Sequence, residues 1–155
     1  MIPSKIEQAY QELLLLAKYY NTKVRENLDN SIKRVHGNLH KSGRYLRSYK
    51  KGEAFKRGKW EWMQCINIYR PVKKSVDALA VFAHELGHAI IRSKMSNVEY
   101  DERCSLYNSD KKTQQQEEHE AWLHADGIAE KLGFYNNIYI ARREESLTSY
   151  GLSTK

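Results

Sequence analysis

The sequence of 155 residues has few cysteines and prolines and contains no long apolar run. Because it has only two cysteines, Cys65 and Cys104, a disulfide framework and paired-cysteine metal spacing are excluded. Two unpaired thiols are typical of a reducing compartment, so we expect a cytoplasmic protein. The longest apolar run of the N-terminal part, residues 13–17, is too short to cross a bilayer. We therefore expect no signal peptide and no contact with a membrane.

The charge of the chain is unevenly distributed. Residues 1–74 contain 17 Lys/Arg and 6 Asp/Glu, whereas residues 75–155 contain 9 and 13. The basic excess is densest in residues 33–59, where 10 basic residues accompany one acidic residue, Glu53. Such a segment could attract nucleic acid or an acidic partner through its electric field. The alternative is a solvated basic surface that only keeps the protein soluble.

The length and the 41% apolar content predict one domain with a hydrophobic core. Apolar residues at three- and four-residue spacing predict an N-terminal helix over residues 3–29. In the basic loop and strand region, residues 30–71, alternating apolar residues predict a strand at 60–69. Residues 44–49 are a candidate antiparallel neighbour of that strand. Together these elements predict a small antiparallel sheet.

Two further helices are predicted in residues 72–133, which we interpret as the catalytic core. The first covers residues 75–93 with Ser75 as its N-cap, and the second covers 113–132 and ends at Gly133. The polar residues 94–112 between them are predicted to form a long loop. The C-terminal tail, residues 134–155, is predicted to add one short helix. The fold class is therefore α+β, in a single domain.

The predicted helix 75–93 contains the sequence His-Glu-Leu-Gly-His at residues 84–88. Because His84 and His88 are four residues apart, their imidazoles project from one face, one turn apart. That spacing suits two nitrogen ligands of a tetrahedral zinc with an open position for water. Glu85 is placed to accept a proton from that water and to deliver it to a leaving amine. His36 and His40 repeat the spacing, but Gly37 between them favours a surface loop.

A third protein ligand is expected from the predicted helix 113–132. Its apolar face is defined by Ala121, Trp122, Ala125, Ile128, Ala129 and Leu132. Glu118 lies in the middle of this face, where a carboxylate is costly unless a cation compensates its charge. Glu118 is therefore the predicted ligand. Glu117 and Glu120 lie to one side and are expected closer to solvent, with Glu120 as the alternative if the helix start is distorted.

These residues resemble the ImmA/IrrE-type metallopeptidases, which share a thermolysin-like arrangement of two His and a downstream Glu. The resemblance covers residues 74–132 and includes Glu118, Ala121 and Ala125 at the spacing of that family. It implies a minimal gluzincin-like domain that holds Zn²⁺ through His84, His88 and Glu118. It also implies that the strand before the zinc helix, residues 62–69, binds the substrate backbone as an added strand.

We therefore expect a zinc-dependent metalloendopeptidase that hydrolyses a cytoplasmic protein or peptide, which could be a regulatory or DNA-associated protein. In the expected mechanism, zinc polarises the scissile carbonyl and Glu85 moves the proton. The alternative is a zinc-containing module that binds nucleic acid or a regulatory partner and has no peptidase activity. The basic residues 33–59 are the observation behind this alternative.

Overall fold

The structure is a computed structural model that describes residues 1–46 and 59–152, with the backbone alone for residues 44–46 and 59–60. Its first element is the helix α1 (Pro3–Tyr19). Pro3 lies in the first turn, where its missing N–H costs no helical hydrogen bond. One face of α1 packs into the core and buries Ala9, Tyr10, Leu13 and Ala17.

The predicted helix 3–29 is too long, because α1 ends at Tyr19 and a strand, β1 (Thr22–Leu28), follows at once. Asn21 has a φ of 52° and so occupies the left-handed region, which Asn tolerates better than most residues. This single residue ends the helix and redirects the chain. The β-branched side chains of Thr22 and Val24 then favour the strand.

Two longer strands, β2 (His36–Leu46) and β3 (Lys59–Arg70), complete a sheet with the order β1-β3-β2. β2 is antiparallel to β3, but β1 is parallel to it. The sheet is thus mixed, and the expectation of an antiparallel sheet was wrong. Residues 44–46 of the predicted neighbour strand belong to a longer strand that begins at His36, and residues 47–49 lie outside the described residues.

β3 is the central strand, and residues 64–69 pair with β1 on one side and with β2 on the other. Both sets of backbone hydrogen-bonding groups are therefore used within the sheet. The prediction that residues 62–69 bind a substrate as an added strand was wrong for this reason. Among the described strands, β2 lies at one edge of the sheet.

The pairing register sorts the strand residues onto two faces, because successive side chains point to opposite sides. Ile66 and Ile68 lie on the face that packs against the helices, and both are fully buried. The opposite face, called here the open face, includes three rows in which all three strands pair, and six of the nine side chains in these rows are exposed. These nine positions are Lys23, Arg25, Asn27, His36, Asn38, His40, Cys65, Asn67 and Tyr69.

The helix α2 (Val76–Arg92) lies between the sheet and the fourth helix and forms the centre of the core. Ser75 caps its start by accepting a hydrogen bond from the backbone N–H of Ala78 at 3.2 Å. Every residue from 78 to 90 is buried. The predicted helix 75–93 is confirmed to within one residue at each end.

A helix, α3 (Asn97–Ser109), occupies the segment for which a loop was expected. Ser96 and Glu99 form a capping box at its start, in which each side chain bonds the backbone N–H of the other. The helix α4 (Lys111–Leu132) follows and ends at Gly133, which has a φ of 81°. A short C-terminal helix, α5 (Asn137–Ser149), is present as predicted.

The described residues thus form a single small α+β domain with five helices and a three-stranded mixed sheet. α2 contacts the sheet on one side and α4 on the other, and α5 packs against both helices. Within the described ranges, no helix has the length and apolar character needed to span a membrane.

Candidate metal centre

Two imidazoles on α2 meet in the interior of the protein. The Nε2 atoms of His84 and His88 lie 3.2 Å apart, as expected for residues one helical turn apart on the same face. His84 is 9% exposed and His88 is 6% exposed. Two imidazoles in so little water require hydrogen-bonding partners or a cation.

Glu118 on α4 reaches both histidines. Its Oε2 atom lies 2.7 Å from Nε2 of His84, and its Oε1 atom lies 3.0 Å from Nε2 of His88. The side chain is almost fully buried, at 1% exposed, in the position that the helical wheel predicted. Glu120, the alternative, is half-buried and accepts a hydrogen bond from Gln116 instead.

A close backbone contact between α2 and α4 explains how the three side chains meet. Gly87 lies directly against Ala121, and a Cβ atom on Gly87 would be only 2.2 Å from the carbonyl oxygen of Ala121. The absence of a side chain on Gly87 therefore lets the two helices approach closely. This contact holds the ligand-bearing residues of the two helices, His88 and Glu118, at bonding distance.

His84, His88 and Glu118 form a group that could hold a metal ion, with their ligand atoms within 4.8 Å of one another. Two ligands of a tetrahedral zinc lie roughly 3.3 Å apart when each bond is about 2.0–2.1 Å long. The separations of 2.7, 3.0 and 3.2 Å are slightly shorter. The donor set of two imidazoles and one carboxylate also suits a divalent transition metal. The residues therefore fit a metal ion.

Glu117 is a further functional residue, and its expected place near solvent was wrong. Its side chain is fully buried, and its Oε2 atom accepts a hydrogen bond at 2.7 Å from Nδ1 of His88. The guanidinium groups of Arg92 and Arg103 also contact it, at 2.9 and 3.2 Å. A carboxylate with three cationic or donating neighbours is compensated without a metal, so burial is tolerated.

The surroundings of Glu117 include α3, the helix that was not predicted. α3 contributes Arg103, Cys104 and two aromatic rings, Tyr100 and Tyr107, that enclose the Arg92 guanidinium at 5.4 and 5.5 Å. A sequence signal for α3 was available, because Ser96-x-x-Glu99 is the pattern of a capping box. With α3 in place, the burial of Glu117 follows.

The electrostatics of the group follow from burial and close pairing. Burial alone would lower the pKa of His88, but hydrogen bonds to Glu117 and Glu118 outweigh it and raise that pKa to about 10. Burial opposes ionisation of Glu117, but His88 and Arg92 lower its pKa to about 2. The pKa of Glu118 is likewise held well below its usual range by both histidines, against the effect of burial. Both carboxylates are thus ionised at neutral pH and attract a cation.

Aromatic side chains form the walls of the site. Trp122 stacks on the His84 ring, with centroids 4.4 Å apart and planes 8° from parallel. Tyr107 donates a hydrogen bond to Oε1 of Glu118 and approaches His88 edge-on. Burial and the nearby charge of Glu118 raise the pKa of both Tyr107 and Tyr150 above the usual value. Both hydroxyls therefore keep their protons at neutral pH.

The site opens into two adjoining cavities of about 190 and 260 Å³. They share four lining residues: Gly37, His84, Glu85 and Tyr150. Glu85 is 8% exposed and lies beside His84, with its Oε1 atom 3.5 Å from Nδ1 of that ring. The smaller cavity is also lined by residues 37–39 of β2, so the edge strand forms one side of the cleft.

The second histidine pair, His36 and His40, lies on the open face, and His36 also lines the larger of the two cavities. His36 stacks on Tyr69 with centroids 4.7 Å apart, and Nδ1 of His40 is hydrogen-bonded to Asn67 at 3.0 Å. Neither belongs to a metal-binding group within the described ranges. Both residues lie in β2, so the expectation of a surface loop for this segment was wrong.

Comparison of the chain with protein-family models, with curated protein sequences and with solved structures finds no match in any of the three. The interpretation of the site therefore depends on its geometry and chemistry.

Proposed function

We propose that the protein is a zinc-dependent metallopeptidase. The observation that carries the proposal is the convergence of His84, His88 and Glu118 in a cleft where Glu85 is also present. Three protein ligands with a remaining open position are typical of catalytic zinc sites, whereas structural sites usually have four. When bound, zinc supplies Lewis-acid chemistry, since it polarises a carbonyl oxygen and lowers the pKa of water.

Glu85 is the proposed general base and acid. Glu85 lies inside the buried part of α2, so the packing of the core fixes its position. Its carboxylate lines both cavities and is therefore accessible to a water molecule and to a bound peptide. A carboxylate in this place can accept a proton from the attacking water and pass it to the leaving amine.

The proposed substrate-binding element is the outer edge of β2 at residues 37–39. This edge has no partner strand among the described residues and lines the cleft opposite the metal-binding group. An extended peptide can add to such an edge through backbone hydrogen bonds. A side chain on Gly37 would lie 3.1 Å from Val81 and 3.3 Å from Glu85, so glycine keeps this part of the cleft open.

Tyr150 is the proposed donor to the carbonyl oxygen of the substrate in the transition state. Its side chain lines both cavities, and its hydroxyl remains protonated at neutral pH for the reasons given above. The amide of Gln115 bonds the Tyr150 carbonyl oxygen at 2.9 Å and thereby holds the end of α5 near α4. A preorganised neutral donor stabilises developing negative charge.

The ligand pattern is the one that resembles the ImmA/IrrE-type metallopeptidases, and we propose membership in that group with a minimal gluzincin-like fold. Cys65 and Cys104 are free, which fits a reducing compartment, and we propose a cytoplasmic location.

The test uses the purified, zinc-loaded protein and a peptide library derived from a proteome, with new termini quantified by mass spectrometry. We expect the parent to generate new termini and Glu85→Gln to generate none, while zinc content remains unchanged. Glu120→Gln makes the same change on the half-exposed side of α4 and should behave as the parent. If Glu85→Gln cleaves as many peptides as the parent, Glu85 is not the general base and acid. If the parent binds zinc but cleaves no peptide, the result favours the alternative, a zinc-containing module that binds nucleic acid or a regulatory partner.

A further inference from the structure

The open face of the sheet contains basic, amide and aromatic side chains that have no role in the proposed peptidase reaction. The register places its residues in three rows, which are Lys23–Cys65–His40, Arg25–Asn67–Asn38 and Asn27–Tyr69–His36. None of these nine residues is acidic, and two of them, Lys23 and Arg25, are basic. Glu61 is on the same side of β3 but lies four residues beyond the first row.

A basic hollow of about 400 Å³ adjoins this face at the start of β1. Lys18, Lys23 and Arg25 are the charged residues among the described ones that line it, and none of these described lining residues is acidic. In the described part of the chain these three cations have no ion pair. By contrast, Arg70 and Arg143 pair with carboxylates at 2.9 and 2.7 Å. Positive charge is thus neutralised near these arginines and left uncompensated at the hollow.

The sequence between β2 and β3 adds to this basic character. Residues 47–58, which lie outside the described residues, contain five Lys/Arg and one Glu. Ser42 and Met63, which lie on these two strands, line the hollow itself. The field of the face therefore attracts a polyanion.

Aromatic and amide groups occupy the opposite end of the same face. The rings of Tyr69 and His36 stack nearly parallel, 10° apart, and His36 is exposed. A nucleobase can extend such a stack, because every base has a π-face. Asn38 and Asn67 lie between the stack and the cations and are hydrogen-bonded at 2.8 Å. Their remaining donor and acceptor atoms can bond base edges.

We infer that the open face binds single-stranded nucleic acid, with phosphates at Lys18, Lys23 and Arg25 and a base on the Tyr69–His36 stack. A flat face that combines cations with a stacking platform suits an unpaired strand. A duplex keeps its bases stacked internally and would leave the rings unused. This inference does not depend on peptidase activity, because none of these residues belongs to the metal-binding group.

The experiment measures fluorescence anisotropy of a labelled oligothymidylate titrated with the full chain, at several salt concentrations. The parent should bind, and the logarithm of its affinity should fall linearly with the logarithm of salt concentration. Lys23→Gln/Arg25→Gln should weaken binding about tenfold and reduce the salt slope by about 1.4, that is about 0.7 for each lost phosphate contact. Tyr69→Leu should weaken binding about fivefold or more through lost stacking.

The matched control is Lys112→Gln/Lys131→Gln, which removes the same charge from exposed positions on α4 and should bind as the parent. Circular dichroism checks the fold of each variant, and His36→Leu, at an exposed position, repeats the test of the stack if Tyr69→Leu fails to fold. The inference is overturned if the parent does not bind or if the control weakens binding equally. It is also overturned if duplex DNA or phosphatidylserine vesicles bind as tightly as the single strand.

Discussion

Glu117 and His88 form a buried hydrogen bond of 2.7 Å through Nδ1, while Nε2 of the same ring lies 3.0 Å from Glu118. At neutral pH the raised pKa keeps this ring protonated on both nitrogens, so a metal that binds Nε2 must displace the proton there, while the bond to Glu117 keeps the other proton on Nδ1. A carboxylate behind a ligating histidine fixes its orientation and increases its basicity. Glu117 is thus a positioning residue, and Arg92 and Arg103 hold it in place.

We predict that Glu117→Ala lowers zinc affinity by about 10- to 100-fold, the range found when such outer partners are lost. Glu117→Gln keeps an acceptor for Nδ1 and should fall between the parent and the alanine variant. Competition titration with a fluorescent chelator measures the affinities. An unchanged affinity in Glu117→Ala would show that His88 does not depend on this bond.

A second prediction separates the neighbouring carboxylates of α4. Glu118→Ala should lower zinc affinity at least as much as Glu117→Ala, since it removes a direct ligand. Glu120→Ala should match the parent, because Glu120 is half-buried and bonded only to Gln116 in the described structure. The same titration decides between them. Damage in Glu120→Ala together with no effect in Glu118→Ala would contradict the geometry of the site.

A third prediction concerns the two tyrosines of the cleft and depends on the proposed function. Tyr150→Phe should lower kcat by about 10²- to 10³-fold, as expected when one transition-state donor is lost, with zinc content unchanged. Tyr107→Phe should instead lower zinc affinity, because its hydroxyl bonds the ligand Glu118. Steady-state kinetics and metal analysis of both variants provide the comparison. Parent-like kcat in Tyr150→Phe would require a different donor.

A fourth prediction uses two glycines on the neighbouring helices. Gly87→Ala places a methyl group against the Ala121 backbone and should lower the free energy of unfolding by about 1–3 kcal/mol or more. Gly127→Ala is the matched control, since a Cβ atom there meets nothing within 4 Å. It should raise the free energy of unfolding by about 0.5–1 kcal/mol through helix propensity. Urea denaturation of both variants measures the difference, and a neutral Gly87→Ala would refute the close approach.

The parts of the fold that could be predicted are those whose boundaries and buried faces are specified by nearby residues. α2 and α4 have capping residues, a clear apolar periodicity and, for α4, a terminal glycine. The helical wheel of α4 was sufficient to predict that Glu118 faces the histidines, because a carboxylate at the centre of an apolar face needs a cation.

The parts that were not predictable depend on tertiary contacts. The periodicity of α1 continues by coincidence to Val24, whereas the left-handed Asn21 ends the helix. The parallel pairing of β1 with β3 joins segments about 40 residues apart, and no local pattern specifies it. The environment of Glu117 depends on α3, which brings Arg103 to its carboxylate and the Tyr107 ring to its partner Arg92.

The enclosure of α2 between the sheet and α4 links metal binding to the folding equilibrium. Because every residue from 78 to 90 is buried, the histidines cannot separate from Glu118 by fraying of a surface element. Release of an ion through loss of the site therefore requires loss of the core. An ion bound only by the native state then stabilises the entire domain, by about 1.4 kcal/mol for each tenfold excess of free metal over Kd. For a chain that binds metal at this site, we therefore expect metal availability to determine how long the chain survives proteolysis.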